Sequence, residues 1–265
     1  NKDMFEEYGI KVPTNWDEFI AAMEAFKAQG IYSLASGYKD GWPTEFDVYN
    51  FFHDLMIRDP DIFKKVNSGE VKYTDEIFLD TFRKIDEFYK AGYILPDCLS
   101  LTGADIDPLF IGQQIPMVIN GEWGAATYDA VDLEFELGLL PLYVESTQDL
   151  YAATTVGNYE CGVASTKHPE EVKKFLEFMS TQQGATITAN DLTAFSPVKG
   201  VTLETDSCIS MFNDMLDMPS VDFFYSQQRA DDNSEMIRLL QEMFLQSITP
   251  EELAQSLQES HDANS

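Results

Sequence analysis

The sequence predicts an α/β fold, and three observations carry that expectation. Short apolar runs, IYSLAS (31–36), IPMVI (115–119), ELGLLPL (136–142) and part of YAATTVGNYECGVAST (151–166), are spread along the chain. Between them lie longer segments whose apolar residues recur at helical intervals. Capping and stopping residues bracket those segments, and short strands alternating with longer helices belong to α/β architectures.

The first helix is announced by Pro13-Thr14-Asn15-Trp16-Asp17. Thr14 is placed to cap, Asp17 to complete a capping box, and Gly30 to stop the helix. Trp16, Phe19, Ile20, Met23 and Phe26 keep helical spacing between them. The strand at 31–36 then delivers the chain to GYKDGWP (37–43), which sets Trp42 among glycines, charges and a proline in what reads as an exposed turn. An aromatic-rich helix is expected over 46–57, with Phe46, Tyr49, Phe52 and Met56 on one side, and another over 75–93, ended at Gly92. A short helix at 106–113 precedes the strand at 115–119, which runs into Asn120-Gly121-Glu122-Trp123.

After the strands at 136–142 and within 151–166, a helix is expected from His168-Pro169 with Val172, Phe175, Leu176 and Met179 inward. Further helices are expected near 182–190, 204–217 and 232–246. A final helix opens on Thr249-Pro250-Glu251-Glu252, where cap residue, N1 proline and N3 glutamate all stand in place. The sequence carries no internal repeat, no Gly/Ser linker and no long charge block.

A chain of 265 residues with 44% apolar and 13% aromatic content can bury a sizeable core and is not of disordered composition. Its 46 acidic and 17 basic residues leave a formal charge of −29. Such a surface repels nucleic acid and anionic lipid, because it offers no cation cluster to displace their counterions. A neutral ligand or a cation suits it better. Cys98, Cys161 and Cys208 are widely separated with no CxxC pair, so zinc and redox readings fail on spacing and three buried thiols are expected. No apolar run approaches the length of a membrane span.

Catalytic signatures are sparse. The chain has no GxSxG, GxxxxGK[ST] or GxGxxG. His53, His168 and His261 are too scattered for HExxH or a facial triad. His53 is expected as a partly buried helix residue and His168 as a surface residue. Asp231-Asp232-Asn233 lacks the glycine and terminal glutamate of a calcium loop. Carboxylate pairs carry almost no information in a chain with 46 acids. No cofactor and no metal are expected.

What remains is aromatic and polar, in loops that follow strands. Trp42 follows the run at 31–36 and Trp123 the run at 115–119, and loops leaving strand C-termini commonly line the ligand crevice of an α/β protein. A flat ring beside Asp, Glu, Asn and Lys is the inventory a sugar needs: its C–H face packs on the ring and each hydroxyl requires a partner. Either indole could instead anchor its own loop or plug a core.

Four blocks, in order, make the chain resemble a known family. They are NKDMFEEYGIKVPTNWDEFIAAMEAFKAQGI with SLASGYKDGWP, then FYKAGYILPDCLSLTGADIDPLFIGQQIPMVINGEWGAA, TTVGNYECGVASTKHPEEVKKFLEFMSTQQG and LQSITPEELAQSLQES. Together they span nearly the whole chain and are similar to extracellular solute-binding proteins of bacterial ABC importers, in the family-1 group of maltose- and raffinose-type sugar binders. The resemblance implies a type II periplasmic-binding-protein-like clamp of two lobes that closes over a sugar by hinge bending. It implies that residues 1–150 are the first part of lobe two, 151–197 a return segment of lobe one, and 198–265 the helical part of lobe two. Most of lobe one is then expected to precede Asn1, and the 151–197 segment to have unpaired edges without it.

Carried over by position, Trp42 and Trp123 match sugar-facing aromatics, with Lys39, Asp40 and Glu122 flanking them and Asn158 in the GNYECG segment facing the cleft. Maltose-type members place a stacking aromatic near the start of the penultimate long helix. Here SQQRADDNSEM has none, and Arg229 or Tyr225 is expected to substitute. The glutamate of GEW is a second departure. The expected function is non-enzymatic capture of a mono- or oligosaccharide and its delivery to membrane permease subunits, by a monomer outside the cytoplasmic membrane, lipid-anchored or periplasmic. The alternatives are a carboxylate-dependent glycoside-acting enzyme and a peptide or polyamine binder of the same fold.

Overall fold

The computed structural model describes residues 1–155, 159–203 and 207–264. In chain order the elements are α1 (Lys2–Glu7), α2 (Trp16–Ala28), β1 (Leu34–Ala35), α3 (Pro43–Asp47), α4 (Tyr49–Arg58), α5 (Ile62–Asn67) and α6 (Glu76–Lys90). Then follow α7 (Gly103–Ile111), β2 (Met117–Val118), α8 (Ala125–Asp129), β3 (Leu142–Tyr143) and β4 (Leu150–Thr154). The chain continues through α9 (Pro169–Met179), α10 (Gln182–Leu192), β5 (Ser220–Asp222), α11 (Ala230–Phe244) and α12 (Pro250–Ala263). Two compact units result, the first made of Asn1–Ile119, Phe135–Thr154 and Met218–Ser265, the second of Asn120–Glu134 and Thr155–Asp217.

In the first unit β1 pairs with β2 in parallel, Leu34 opposite Met117, and Leu34 also bridges Ile94. A second sheet orders β3-β4-β5, antiparallel between β3 and β4 and parallel between β4 and β5. Helices supply the core. Phe52, Phe63, Phe78, Phe82 and Phe224 are fully buried, with the Phe52 and Phe224 rings 4.7 Å apart. Fully burying one such side chain contributes roughly 1.5–3 kcal/mol, so this cluster fastens α4, α5 and α6 to the turn before α11. The helix ends follow their sequence signals where glycine is needed: Gly30 and Gly92 both sit at φ 77°, beyond the ends of α2 and α6. Thr249 and Glu252 close a reciprocal capping box on α12.

Several expectations are corrected. Asn15, not Thr14, caps α2: its side chain accepts from the Glu18 nitrogen, and Glu18 rather than Asp17 reaches back, to the Thr14 nitrogen at 2.8 Å. The cap is shifted by one residue because Asn15 is the residue in extended backbone. The helix expected at 106–113 starts earlier, at Gly103, because Thr102 and Asp105 form a capping box. Only Leu142 of the run 136–142 is in a strand, and pairing is confined to two residues. Helix 204–217 is a 3-10 segment over Cys208–Met215 in the described part. His53 is wholly buried rather than partly. Of the thiols only Cys98 is buried, while Cys161 is exposed and Cys208 half-buried.

The second unit pairs α9 with α10 and rests α8 on the 3-10 segment. Its α9 has no buried residue, and Phe175, expected inward, is 57% exposed. The helical period of that face is real, but among the described residues too little of the chain packs on it to cover it. No helix among the described residues is long and apolar enough to cross a membrane.

Candidate ligand-binding site

Trp42 stands on a loop that the first unit holds from several sides. Gly37 brings its backbone against Thr102–Gly103 so closely that a Cβ there would meet the Gly103 nitrogen at 2.3 Å. Lys39 donates its backbone N–H to the Leu101 carbonyl at 3.0 Å, and the Asp40 carboxylate accepts from the Gly103 nitrogen at 2.8 Å. From α11, the Gln241 side-chain amide donates to the Tyr38 carbonyl at 2.8 Å and to the Thr44 hydroxyl at 3.1 Å. The Tyr38 ring is buried with its centroid 5.4 Å from that of Phe244. Gly41 then turns the chain at φ 81°, a conformation open to glycine, and Trp42 emerges 44% exposed.

Asp40 is thus a structural acceptor as well as a neighbour of the indole, since it caps the start of α7. Lys39 is exposed on the same loop. Beyond Trp42 the chain enters α3 and α4, which bring Glu45 and Tyr49 to Tyr225 and Asn233. The Asn233 amide donates to the Glu45 carboxylate at 2.8 Å. Burial pushes the Glu45 carboxyl up from its ordinary value, partly offset by that hydrogen bond. The Tyr49 and Tyr225 hydroxyls face one another, and the Tyr49 and Phe223 rings lie 4.9 Å apart. Tyr225 is therefore held by Tyr49 of α4. Arg229 does something different: its guanidinium donates to the His261 carbonyl at 3.4 Å and to the Asn264 carbonyl, fastening the C-terminal end of α12.

In the second unit Trp123 lies in the turn between Gly121 and α8, 48% exposed. Its ring folds back over Gly121, where a Cβ would fall 2.1 Å from a ring carbon. The Asn120 side chain covers Gly124 in the same way. Glu122 is half-buried and accepts from the Phe195 backbone, while burial raises its carboxyl above the usual range. Asn158 lies outside the described residues.

Glu45, Tyr49 and Asn233 were missed from sequence. Tyr49 reads as an ordinary position of the helix expected over 46–57, Glu45 falls just before that helix, and Asn233 is 188 residues from Glu45. The one local signal was the continuity of Trp42 with an aromatic-rich helix. Chemically the Trp42 loop offers a half-open indole with exposed Lys39 and Asp40 beside it, which can stack on a flat face and exchange hydrogen bonds with hydroxyls, while Glu45 and Tyr49 are buried. Among the described residues no grouping of His, Cys, Asp and Glu suits a metal ion. Asp232, from the acidic triplet, instead takes the His261 ring at 2.7 Å and the Tyr73 hydroxyl at 3.2 Å in the interior.

Residues 1–186 match the family model of bacterial extracellular solute-binding proteins. Among curated relatives, the multiple sugar-binding protein of Streptococcus mutans is 26% identical over 194 residues, covering 68% of this chain and 44% of its own length. An ABC transporter extracellular-binding protein of Pyrococcus horikoshii is 30% identical over 184 residues, covering 68% of this chain and 41% of its own. The chain thus spans less than half the length of these relatives. Among solved structures, a chitin oligosaccharide binding protein superposes with a TM-score of 0.83 at 21% identity, over 99% of this chain and 68% of the other. A sugar transporter protein of Bacillus licheniformis in complex with stachyose gives 0.76 at 16%, over 98% and 68%. These likenesses establish the type II periplasmic-binding-protein-like fold.

Proposed function

Because this chain belongs to the bacterial extracellular solute-binding proteins, a family of non-enzymatic binders, we propose that it captures a mono- or oligosaccharide for delivery to an ABC-type permease. The observation that carries this reading is the pinned loop that holds Trp42 half-open where the chain enters α3, whose Glu45 meets Asn233. An indole left in water by a loop this heavily bonded is preorganised for a guest, so little ordering entropy remains to be lost on binding. Trp123 and Glu122 supply a second platform of the same kind, and Lys39 and Asp40 supply polar partners at the first. Asn158 is assigned a supporting contact in the same reading, whereas the Arg229 guanidinium is engaged at the end of α12.

Residues 1–150 and 198–265 are taken as two segments of one lobe and 151–197 as the return to the other. The protein works outside the cytoplasmic membrane, as a monomer held at the cell surface by a lipid anchor or free in a periplasm. Relatives are named for multiple sugars, and neighbours for chitin oligosaccharide and for a stachyose complex, which supports neutral oligosaccharides as the first candidates.

The test is calorimetric titration of the protein with raffinose, stachyose, chitooligosaccharides and galactose, beside spermidine and an oligopeptide, with product analysis of each incubation. Saturable binding of at least one neutral sugar without turnover is expected. Binding of spermidine or peptide alone, or release of shortened sugars, would replace this reading by a cation binder or a glycoside-acting enzyme.

A further inference from the structure

The helix that Trp42 leads into carries a buried carboxyl with no counter-ion among the described residues. Asp47, at the end of α3, is 5% exposed and lines a cavity of about 10 Å³ walled by Tyr38, Phe51, Ile85, Tyr89 and Phe244. That volume has room for a single water at most. Tyr38 and Ser36, both from the loop that ends at Trp42, face the carboxyl. Neither Asp47 Oδ2 nor the Tyr38 hydroxyl completes a hydrogen bond of good geometry. Ser36 is held from the other side, its N–H donating to Cys98 Sγ at 3.3 Å.

The titratable groups around Asp47 are Tyr38 from the loop, Tyr89 from α6, and Cys98 from the turn after Ile94, the last two of which also feel Asp97. No cation is among them. A carboxylate in such a place loses its hydration and gains only phenols, a hydroxyl and a thiol in return, whereas the neutral acid loses far less.

We propose that Asp47 is a positioning residue for the ligand loop, holding Tyr38 and Ser36 as a neutral acid and loosening the segment that ends at Trp42 when it ionises. The effect on sugar affinity rests on the function proposed above; the effect on the loop does not. Burial pushes the Asp47 carboxyl up to about 7, with Tyr38 and Ser36 pulling it partly back. The folded state therefore keeps the proton that the unfolded chain releases near pH 4. Stability from this group is complete below that pH, declines as pH rises, and reaches its floor above about 7.

The experiment is ¹⁹F NMR of the unliganded protein labelled with 5-fluorotryptophan, between pH 5 and 9, with the Trp42 resonance assigned by W42F. In the parent the Trp42 signal shifts with a midpoint near 7, while those of Trp16 and Trp123 do not follow it. The shift vanishes in D47N, which keeps shape and neutrality, and survives in E45Q, which controls for the other buried carboxyl of α3. For whichever sugar the panel identifies, affinity falls as pH rises past 7, by up to about tenfold per pH unit, and D47N restores binding at high pH. A Trp42 signal that stays flat in the parent, or that titrates unchanged in D47N, overturns the proposal. If D47N does not fold, loss of the titration in E45Q overturns it and retention supports it. A panel with no binder would remove the sugar reading, and the Trp42 titration would still decide the role of Asp47.

Discussion

The backbone of Gly37 packs on that of Gly103 with no room between them: a methyl group on Gly37 would lie 2.3 Å from the Gly103 nitrogen and 2.4 Å from the Thr102 carbonyl carbon. The obstacle is main chain on both counts, so no side-chain movement relieves it. Gly37→Ala must push the ligand loop off α7, and this separation also breaks the bond from the Gly103 nitrogen to Asp40. Overpacking of this kind costs roughly 1–3 kcal/mol. A lowered denaturation midpoint, together with loss of sugar binding, is the expected result. An unchanged midpoint would mean the two strands of backbone are not in fixed contact.

Gly121 offers a contrast of the opposite kind. What its Cβ would strike is the Trp123 ring, at 2.1 Å, and a ring on a side chain can swing away. Gly121→Ala should therefore change stability by less than about 1 kcal/mol while re-aiming the indole. A shift in tryptophan emission or near-UV dichroism with a near-constant melting temperature is expected. Should the melting temperature collapse, the ring is wedged against Gly121 and its clash is not relieved by rotation.

How much of the molecule can be read from its sequence depends on the range of the interaction. Local signals read well: Thr249 with Glu252, Gly30 and Gly92 act within a few residues of themselves, and the structure places them as the pattern requires. Strands read poorly in extent, because a two-residue strand such as Leu34–Ala35 is defined by its partner Met117–Val118 and not by its own alternation. The α9 pattern reads correctly as helical and wrongly as buried, since periodicity reports a face but not what covers it. At the site the loops bearing Trp42 and Trp123 are found from their position after strands. Glu45, Tyr49 and Asn233 are not, because only tertiary packing brings them to Tyr225. The role of Asp40 as a backbone acceptor is equally invisible without Gly103.

Each indole is expected to carry binding energy without carrying the fold. Both are roughly half-exposed, so truncation opens no internal cavity. Trp42→Ala or Trp123→Ala should weaken the sugar found by titration by about 1–3 kcal/mol while leaving helical dichroism near that of the parent. Parent-like affinity in both variants would remove stacking from the account of the site.

A final prediction concerns acid. His53 is fully buried between Tyr49 and Phe223, with ring centroids 5.0 and 6.3 Å away, and neither of its nitrogens completes a hydrogen bond. Burial lowers its pKa to about 4, and only the Asp222 backbone and charge pull the other way. The folded protein therefore refuses a proton that the unfolded chain accepts below about pH 6.5. The contribution is intact above that pH, is lost as pH falls toward 4, and amounts to about 3 kcal/mol at the limit. This slope runs opposite to that of Asp47 over the same window, so between about pH 4 and 6.5 the two contributions largely cancel. Replacing the ring by an apolar side chain of similar reach, His53→Leu, removes the titrating group and should flatten the acid limb. The variant would then out-melt the parent at pH 5 and approach it at pH 8. If both proteins lose stability in parallel on acidification, the buried imidazole is not the group that responds.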